Sequence, residues 1–399
     1  MGPLEGLKVI DIGTIFAAPI SATLLADMGA DVIKIEHPRG DPLRRWGYKK
    51  DGIPMSWKVV NRNKKTITLD LSKEKGQELF KILIKHIDVM VSNFRPGVLE
   101  RWNIGFNDLK KINPRLILVN ISGWGQTGPY SNMPGYGTLA EGVSGFAQLN
   151  GYPDSPPTMP PTGLADALAG IYGAMAALAA IYNRDVLSSN EGQQIDIALY
   201  EPIFSLLSTI SLQVTRFDQL NEIPARLGNR SAFEAPRNIY RSKDGKWISM
   251  SSTNETMAKR IFTAMGLANL LNDSRFKDND ARLAHVDELD SIISNWMSNH
   301  KSTEILTLFK QNDATAFLVY DIRDIFSDQH FKERLNIIEV PDDDFGKIKM
   351  AAPVPIFSKT QNKIKHTGLP KGFFNEEIYE NVLKLSKEEI KILKDEGVI

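Results

Sequence analysis

The sequence predicts an α/β fold in which a mostly parallel sheet carries helices on both faces. Residues 4–46 contain a strand, a helix of small residues and a second strand, which together form a βαβ unit. Strand and helix patterns then alternate up to about residue 125. The 399 residues are also enough for a second domain with its own core.

The first βαβ unit is the clearest pattern in the chain. An apolar, β-branched run at 7–12 predicts a strand, 17–28 predicts a helix that ends at Gly29, and 31–36 predicts the next strand. A cationic and aromatic cluster follows, and because parallel strands deliver ligands to their carboxyl ends, it is expected where an adenine and its phosphates would bind. The cluster comprises His37, Arg39, Arg44, Arg45 and Trp46.

The turn after the first strand argues against a dinucleotide. It has one glycine, Gly13, and a bulky Phe16 where the dinucleotide fingerprint needs three glycines. Glu36 lies at a suitable distance to bind a ribose, but without the glycines it is a weak signal for NAD.

The later elements continue the same alternation. The patterns predict helices at 73–86, 107–112 and 162–183, and strands at 66–71, 88–92, 115–121 and 194–199. Between them, residues 123–162 form a segment rich in Gly and Pro, of a length typical of functional or covering loops. A hairpin turning at 243–246, further helices to about 310 and a capped helix at 386–396 complete the chain.

We therefore predict a large Rossmann-like domain built from both chain ends and a smaller α+β domain between them. The predicted bounds are 1–205 for the N-terminal part of the large domain, 206–230 for a linker, 231–325 for the small domain, and 326–399 for a linker and the returning C-terminal part.

The composition excludes several classes of protein. The 48 basic and 48 acidic residues balance, so no nucleic-acid partner is expected, and any anion site must be a local cluster. The absence of cysteine removes disulfides and thiolate sites, and the six scattered histidines give no support for a metal site. We see no run of membrane-spanning length and no signal-peptide pattern, so we expect a cytoplasmic protein without membrane contact.

Asp166 is the leading candidate for chemistry. Residues 160–163, with Thr162 as a plausible N-cap, would begin a helix that places Asp166 in its first turn. An aspartate suits a helix N-terminus for electrostatic reasons alone. However, the helix face that continues from Asp166 carries only glycine and alanine, which allows a ligand or another backbone to approach the carboxylate. That bare face comprises Gly170, Gly173, Ala174 and Ala177.

A second candidate group follows the strand at 88–92. Asn93, Phe94 and Arg95 would lie at the carboxyl edge of the sheet, where an aromatic ring can stack on a base and polar side chains can donate hydrogen bonds. Arg101 and Trp102 again combine a cation with a ring. The alternative is an ordinary turn with a structural proline.

Taken together, the motifs resemble the class III CoA-transferases, the CaiB/BaiF family that includes formyl-CoA transferase. The resemblance covers essentially the whole chain. It rests on the order and spacing of the runs at 6–11, 25–36, 93–97, 122–129, 226–230 and 375–379.

This resemblance implies a CoA-transferase acting on an acyl-CoA and a small carboxylic acid, with CoA as a substrate moiety, no permanently bound cofactor and no metal. Asp166 matches the nucleophile, which would form an acyl-aspartyl anhydride and then an aspartyl-CoA thioester. The family also implies an interlocked homodimer. The implied CoA-binding positions are Phe16, Ala17, His37, Leu69, Ser72, Asn93, Phe94, Arg95, Arg101 and Tyr136.

Two departures from the formyl-CoA transferase pattern bear on specificity. Phe16 replaces a glutamine, and His37 replaces a phosphate-binding arginine for which Arg39 or Arg44 would have to substitute. Together with the lack of a glycine run at 251–254, the Phe16 change argues against formyl-CoA and oxalate. Two alternatives stay open: a 2-methylacyl-CoA racemase, whose histidine position falls on Tyr136, and a non-catalytic acyl-CoA-binding protein.

Overall fold

The computed structural model describes all residues from Met1 to Ile399. The strands are β1 (Lys8–Asp11), β2 (Asp31–Glu36), β3 (Lys49–Lys50), β4 (Ile53–Pro54), β5 (Lys64–Thr68), β6 (Val89–Ser92), β7 (Ile117–Ser122), β8 (Gln194–Ala198), β9 (Arg237–Arg241), β10 (Trp247–Ser251), β11 (Ala316–Leu318), β12 (Ile337–Asp342) and β13 (Gly346–Ala351).

The α-helices are α1 (Ala17–Asp27), α2 (Met55–Val60), α3 (Glu74–Leu83), α4 (Val98–Arg101), α5 (Phe106–Ile112), α6 (Gly137–Val143), α7 (Phe146–Leu149), α8 (Leu164–Asp185), α9 (Glu201–Ile210), α10 (Gln213–Leu220), α11 (Glu255–Ala264), α12 (Asn279–Ala284), α13 (Val286–Asn299), α14 (Ser302–Gln311), α15 (Ile322–Ser327), α16 (Gln329–Glu333) and α17 (Lys387–Asp395). Short 3₁₀ helices cover Pro42–Arg45, Ile84–His86 and Ala268–Asn272, and a π-helix covers Glu377–Val382.

The chain divides into two compact units. The first comprises Met1–Phe146, Met159–Glu222 and Arg334–Ile399, and the second comprises Ala147–Thr158 and Ile223–Glu333. The segment predicted as a linker, 206–230, is therefore partly regular structure, since it contains the end of α9 and all of α10.

The first unit is built on a six-stranded parallel sheet with the order β5-β2-β1-β6-β7-β8. The predicted α/β class and its mostly parallel sheet are confirmed. The chain adds strands on one side of β1 first and on the other side from β6 onward. The order therefore reverses between β1 and β6, and the loops that follow these two strands border the crevice where such sheets bind ligands.

One face of this sheet is covered by α1 and α8, whose contact depends on small residues. A methyl group added at Gly170 would come within 2.6 Å of Ile20 Cγ2, and Ser21 Oγ donates a hydrogen bond of 2.7 Å to the Gly170 carbonyl. The bare face of α8 therefore admits another helix backbone, which was one of the two predicted possibilities. The opposite face is an apolar stripe with Ile171, Met175 and Tyr182, each at least half exposed in the single chain.

Helix α8 is also long and apolar enough to span a membrane by length and composition. The expectation that no run approaches such a length was therefore wrong. The core helix of a globular protein can be equally long and apolar, and α8 buries eight of its residues within the first unit.

The second unit has the predicted hairpin at its centre. Strands β9 and β10 pair antiparallel around the 243–246 turn, and β11 joins β10 on its other side. Its core comprises side chains from this sheet and from α11, α13 and α14. In the first unit, the predicted capping box of α17 is confirmed, because Ser386 Oγ accepts from Glu389 N and Glu389 Oε2 accepts from Ser386 N.

Candidate active site at the start of helix α8

Asp166 lies in the first turn of α8, as predicted, but the helix is capped differently. The N-cap residue is Gly163, and no side chain of the chain segment before the helix caps it, so the prediction of Thr162 as N-cap was wrong. Instead, Glu141 of α6 reaches across, and its Oε1 accepts a hydrogen bond of 3.2 Å from Ala165 N. Glu141 is 3% exposed, so this helix start is supported by a buried carboxylate from a neighbouring helix.

Gly137 packs directly against the Asp166 carboxylate. A methyl group at Gly137 would overlap Asp166 Oδ2 and lie 3.3 Å from Cγ. A methyl group at Gly163 would lie 3.4 Å from the same oxygen. The carboxylate therefore fits in its present position only because Gly137 has no side chain, while Gly163 is in ordinary van der Waals reach of it.

The electrostatics of Asp166 are unusual for an aspartate. Burial and, secondly, the nearby Glu141 raise the pKa of Asp166 to about 6, while its own backbone N–H partly opposes this. No cation pairs with the Asp166 carboxylate. At neutral pH most of the protein still carries Asp166 ionised, and a higher pKa gives a more basic and more nucleophilic carboxylate.

The helix pair brings the predicted positions Phe16 and Ala17 to the same end as Asp166. The Ala17 carbonyl lies 3.1 Å from a methyl group placed at Gly170, one turn after Asp166, and Ser21 faces Gly173 one turn further. The two helices thus run in the same direction. Phe16 is the N-cap residue of α1, and its ring meets the exposed Trp46 ring edge to face at 5.4 Å.

Asn93 is used by the fold itself. Its Oδ1 accepts from Thr14 N and its Nδ2 donates to the Thr14 carbonyl, both at 2.8 Å, so the ends of β1 and β6 are joined across the crevice. One of the two side-chain N–H groups of Asn93 is therefore used by Thr14, and its role in binding CoA stays a prediction. The side chain instead shapes the loop that holds Phe16.

A buried charge cluster lies beneath the same loop. Lys64 Nζ donates to Asp11 Oδ2 at 2.8 Å, and Lys34 Nζ lies 3.5 Å from Asp11 Oδ1 and 3.3 Å from Asp41 Oδ2. Lys34 also donates to the Gly13 carbonyl, and Asp11 accepts from Gly13 N. Burial lowers the pKa of Lys64 to about 8, although Asp11 favours its charged form. The cluster fixes the turn that bears Phe16 and Ala17.

Three of the predicted CoA-binding positions meet around Asp70. His37 Nε2 lies 3.5 Å from Asp70 Oδ2, and Asp70 Oδ1 accepts hydrogen bonds from both the N–H and the hydroxyl of Ser72. Leu69, next in the chain, is buried. His37, Leu69 and Ser72 therefore form one cluster at the carboxyl ends of β2 and β5.

Of the two arginines considered as substitutes at His37, Arg44 is not free to bind a phosphate. It forms two short hydrogen bonds with Glu36, donates to the Leu369 carbonyl at 3.0 Å and stacks on the Trp57 ring at 3.6 Å. The Arg39 side chain is exposed and has no such partner. Arg39 is therefore the available cation beside His37.

The remaining predicted positions lie on the surface. Arg95 and Arg101 are exposed and their guanidinium groups form no ion pair, while Phe94 packs edge to face on Trp102 at 5.1 Å between ring centroids. Tyr136 is 65% exposed and directly precedes Gly137. Arg95, Arg101 and Tyr136 are exposed and Phe94 is half-buried, and no contact joins these four to the cluster around Asp70.

Glu141 and Gly137 were missed from the sequence. One signal was present for Glu141, because it is the single acidic residue between Asp108 and Asp154. An isolated acid within a segment of small residues indicates a buried or functional role.

Most of the chain matches a known family. The family described as CoA-transferase family III matches residues 4–373. This chain belongs to the family III CoA-transferases. The predicted resemblance and the predicted class of enzyme, a CoA-transferase, are therefore confirmed. Nothing in the comparisons tests the individual site residues, which stay predictions.

Relatives and solved structures of this CoA-transferase agree over nearly its full length. It is 38% identical to the succinyl-CoA–D-citramalate CoA-transferase of Chloroflexus aurantiacus, covering 100% of this chain and 98% of that one. It is also 38% identical to the succinyl-CoA–L-malate CoA-transferase beta subunit of that organism, with the same coverage. A CaiB/BaiF family protein from Brucella suis has the same fold, with a TM-score of 0.83, 30% identity and coverage of 96% of this chain and 99% of that chain.

Proposed function

We propose that this CoA-transferase moves CoA from succinyl-CoA to a small dicarboxylic acid, with Asp166 as the nucleophile. Succinyl-CoA is named as donor in both Chloroflexus relatives, whose acceptors are D-citramalate and L-malate. The single observation that carries the role of Asp166 is its position: a partly buried carboxylate without a paired cation lies in the first turn of α8, beside two residues without side chains, Gly137 and Gly163.

The first half of the reaction loads CoA onto the enzyme. An Asp166 oxygen attacks the thioester carbonyl carbon of succinyl-CoA, the C–S bond breaks, and CoA leaves as a thiolate while an aspartyl–succinyl anhydride forms. The thiolate then attacks the aspartyl carbonyl carbon of the anhydride. The C–O bond to succinate breaks, succinate leaves as a carboxylate, and Asp166 becomes a CoA thioester.

The second half reverses these bonds with a new acid. A carboxylate oxygen of the acceptor attacks the aspartyl thioester, which releases the CoA thiolate and forms an aspartyl–acceptor anhydride. The thiolate attacks the acceptor carbonyl, and Asp166 leaves as a free carboxylate. No proton is gained or lost over the cycle, so the site needs no general acid, which agrees with the absence of a titratable partner other than Glu141 beside Asp166.

Binding energy from the CoA handle supplies much of the acceleration in this scheme. A carboxylate is a weak nucleophile, and contacts with the nucleotide end must hold the thioester in place against it. The exposed, unpaired Arg39, Arg95 and Arg101 are suited to the phosphates, and the ring of Phe94 is suited to the adenine.

We also propose that the chain forms a homodimer. The first unit exposes a set of large apolar side chains on three consecutive helices, α8 to α10, a pattern typical of an interface with another chain. These are Ile171, Met175, Tyr182, Phe204, Leu206, Ile210, Phe217 and Leu220. Light scattering on the purified chain measures the mass directly. A single-chain mass at micromolar concentration would contradict the homodimer, and this apolar face would then be expected to bind a different subunit.

The nucleophile is tested by mass spectrometry after incubation with succinyl-CoA and trapping with hydroxylamine or borohydride. The proposal predicts a modified peptide that contains Asp166, present in the wild-type protein and in the Asp154→Ala control, and absent in Asp166→Ala. Asp154 is an exposed acid in a separate segment of the chain.

Two other outcomes would replace the proposal. If no adduct forms and a branched acyl-CoA exchanges deuterium at its α-carbon, the chain is a racemase. If neither an adduct nor exchange is seen but CoA binds tightly, the chain only binds acyl-CoA.

A further inference from the structure

The second unit has a cavity of about 590 Å³ on the outer face of its three-stranded sheet. The strand register brings five outward-facing side chains together there. Arg237 lies opposite Ser251, and Ser249 lies between Ile239 on one neighbouring strand and Phe317 on the other. This cavity is formed entirely by residues of the second unit, whereas Asp166 belongs to the first.

The guanidinium group of Arg237 is the free cation of this cavity. It makes no hydrogen bond within the chain, and its one ion pair is a long contact of 3.8 Å from Nε to Glu234 Oε1 on the same stretch of chain. The side chain is about half exposed, so such a pair adds little stability. The planar fork of N–H donors matches both oxygens of a carboxylate.

The two serine hydroxyls limit what else a ligand can offer. Ser249 Oγ donates its proton to the Phe317 carbonyl at 3.1 Å, and Ser251 Oγ donates to Glu234 Oε1 at 3.1 Å. With their protons committed, both oxygens face a ligand only as acceptors. A ligand hydroxyl, which donates, therefore fits them, and a second carboxylate does not. Ile239 and Phe317 supply an apolar surface for a short carbon chain.

We propose that this cavity binds a small hydroxycarboxylic acid, with its carboxylate on Arg237 and its hydroxyl donating to Ser249 or Ser251. The binding requires neither CoA nor Asp166, so it holds or fails independently of the proposed transfer reaction.

The test is calorimetry on the full-length protein without CoA, with L-malate and succinate as probes. These two acids differ by one hydroxyl group. We expect L-malate to bind several-fold more tightly than succinate, and Arg237→Gln to weaken L-malate at least tenfold. Arg237→Lys, which keeps the charge but loses the fork, should give an intermediate loss. The matched control is Arg241→Gln, because Arg241 lies on the same strand and face but packs over the Trp247 ring at 5.9 Å, outside the cavity lining.

Three results would overturn the proposal. The first is no binding of L-malate by the wild-type protein at tens of millimolar. The second is equal binding in the Arg237 variants and the wild type, with thermal melting showing that all variants are folded. The third is binding that is lost in Asp166→Ala and kept in Arg237→Gln, which would assign the acid to the first unit.

Discussion

Replacing Asp166 by asparagine should stabilise the folded protein while it removes transfer activity. Asparagine keeps the shape of the side chain and removes the charge. Raising the pKa of Asp166 from 3.8 to about 6 means that keeping the group ionised in the folded state costs about 3 kcal/mol. We expect the free energy of unfolding of Asp166→Asn to exceed that of the wild type by about 1 to 3 kcal/mol above neutral pH. The gain can be smaller than the full cost of the charge because the amide forms less favourable hydrogen bonds than the carboxylate.

The pH dependence of this gain follows from the direction of the shift. The folded state holds the proton more tightly than the unfolded state, so the penalty is absent below the unfolded pKa of 3.8 and complete above the folded pKa of about 6. At pH 5 the gain should be about half of its value at pH 7.5. This pH dependence of Asp166 is the opposite of that of a salt-bridged aspartate, whose contribution to folding stability grows as pH rises.

Urea denaturation at pH 7.5 and pH 5 measures the effect, at one protein concentration because the proposed dimer would dissociate on unfolding. The control is Asp154→Asn, an exposed acid whose neutralisation should change the free energy of unfolding by less than about 0.5 kcal/mol at either pH. If Asp166→Asn is neutral or destabilising at pH 7.5, or if its gain grows toward pH 5, then the carboxylate is not held at a raised pKa and the reasoning about its reactivity fails with it.

Three further predictions concern the same site and its CoA handle. Glu141→Gln keeps an acceptor for the Ala165 N–H but removes the second cause of the raised pKa of Asp166. The acidic limb of the plot of kcat against pH should therefore move to lower pH. A limb that does not move would show that Glu141 has only a structural role. Gly137→Ala should lower kcat by at least tenfold in steady-state assays, since the added methyl group overlaps Asp166, and it should change the KM for succinyl-CoA little. A fall in kcat accompanied by an equally large rise in KM would point to misfolding instead. Arg39→Gln should raise that KM several-fold with normal stability, and an unchanged KM would remove Arg39 from the phosphate site.

The strands and helices of the first unit could be predicted because each has a local pattern. The predicted strand at 31–36 coincides with β2, and the helix from Ala17 ends one residue before the bounds expected from Gly29. The face of α8 that becomes buried could not be settled in the same way. Hydrophobicity favoured the stripe of Ile171 and Met175, but the fold buries the glycine and alanine face because α1, itself made of small residues, approaches closely enough to fill it.

The contacts within the site depend on residues distant in sequence, so no local pattern indicates them. Asn93 and Thr14 are 79 residues apart and are joined only because β1 and β6 are neighbours in the sheet. Arg44 looked like a free cation, yet it is saturated by Glu36 and by Leu369 from the far end of the chain. Composition can identify a cluster of cations, but which member stays unpaired is decided by tertiary contacts.

The pattern of buried carboxylates strengthens the case for Asp166. Asp11, Asp27, Glu36 and Asp342 each have a lysine or arginine nitrogen within 3.0 Å, as the cost of a buried charge requires. Asp166 and Glu141 have none, and the nearby Glu141 instead contributes to raising the pKa of Asp166 at the start of α8. Asp166 and Glu141 therefore lack the cation that pairs with each of those four buried acids. A cation there would make Asp166 a poorer nucleophile, so the missing partner is a requirement of the proposed chemistry and the source of its cost in stability.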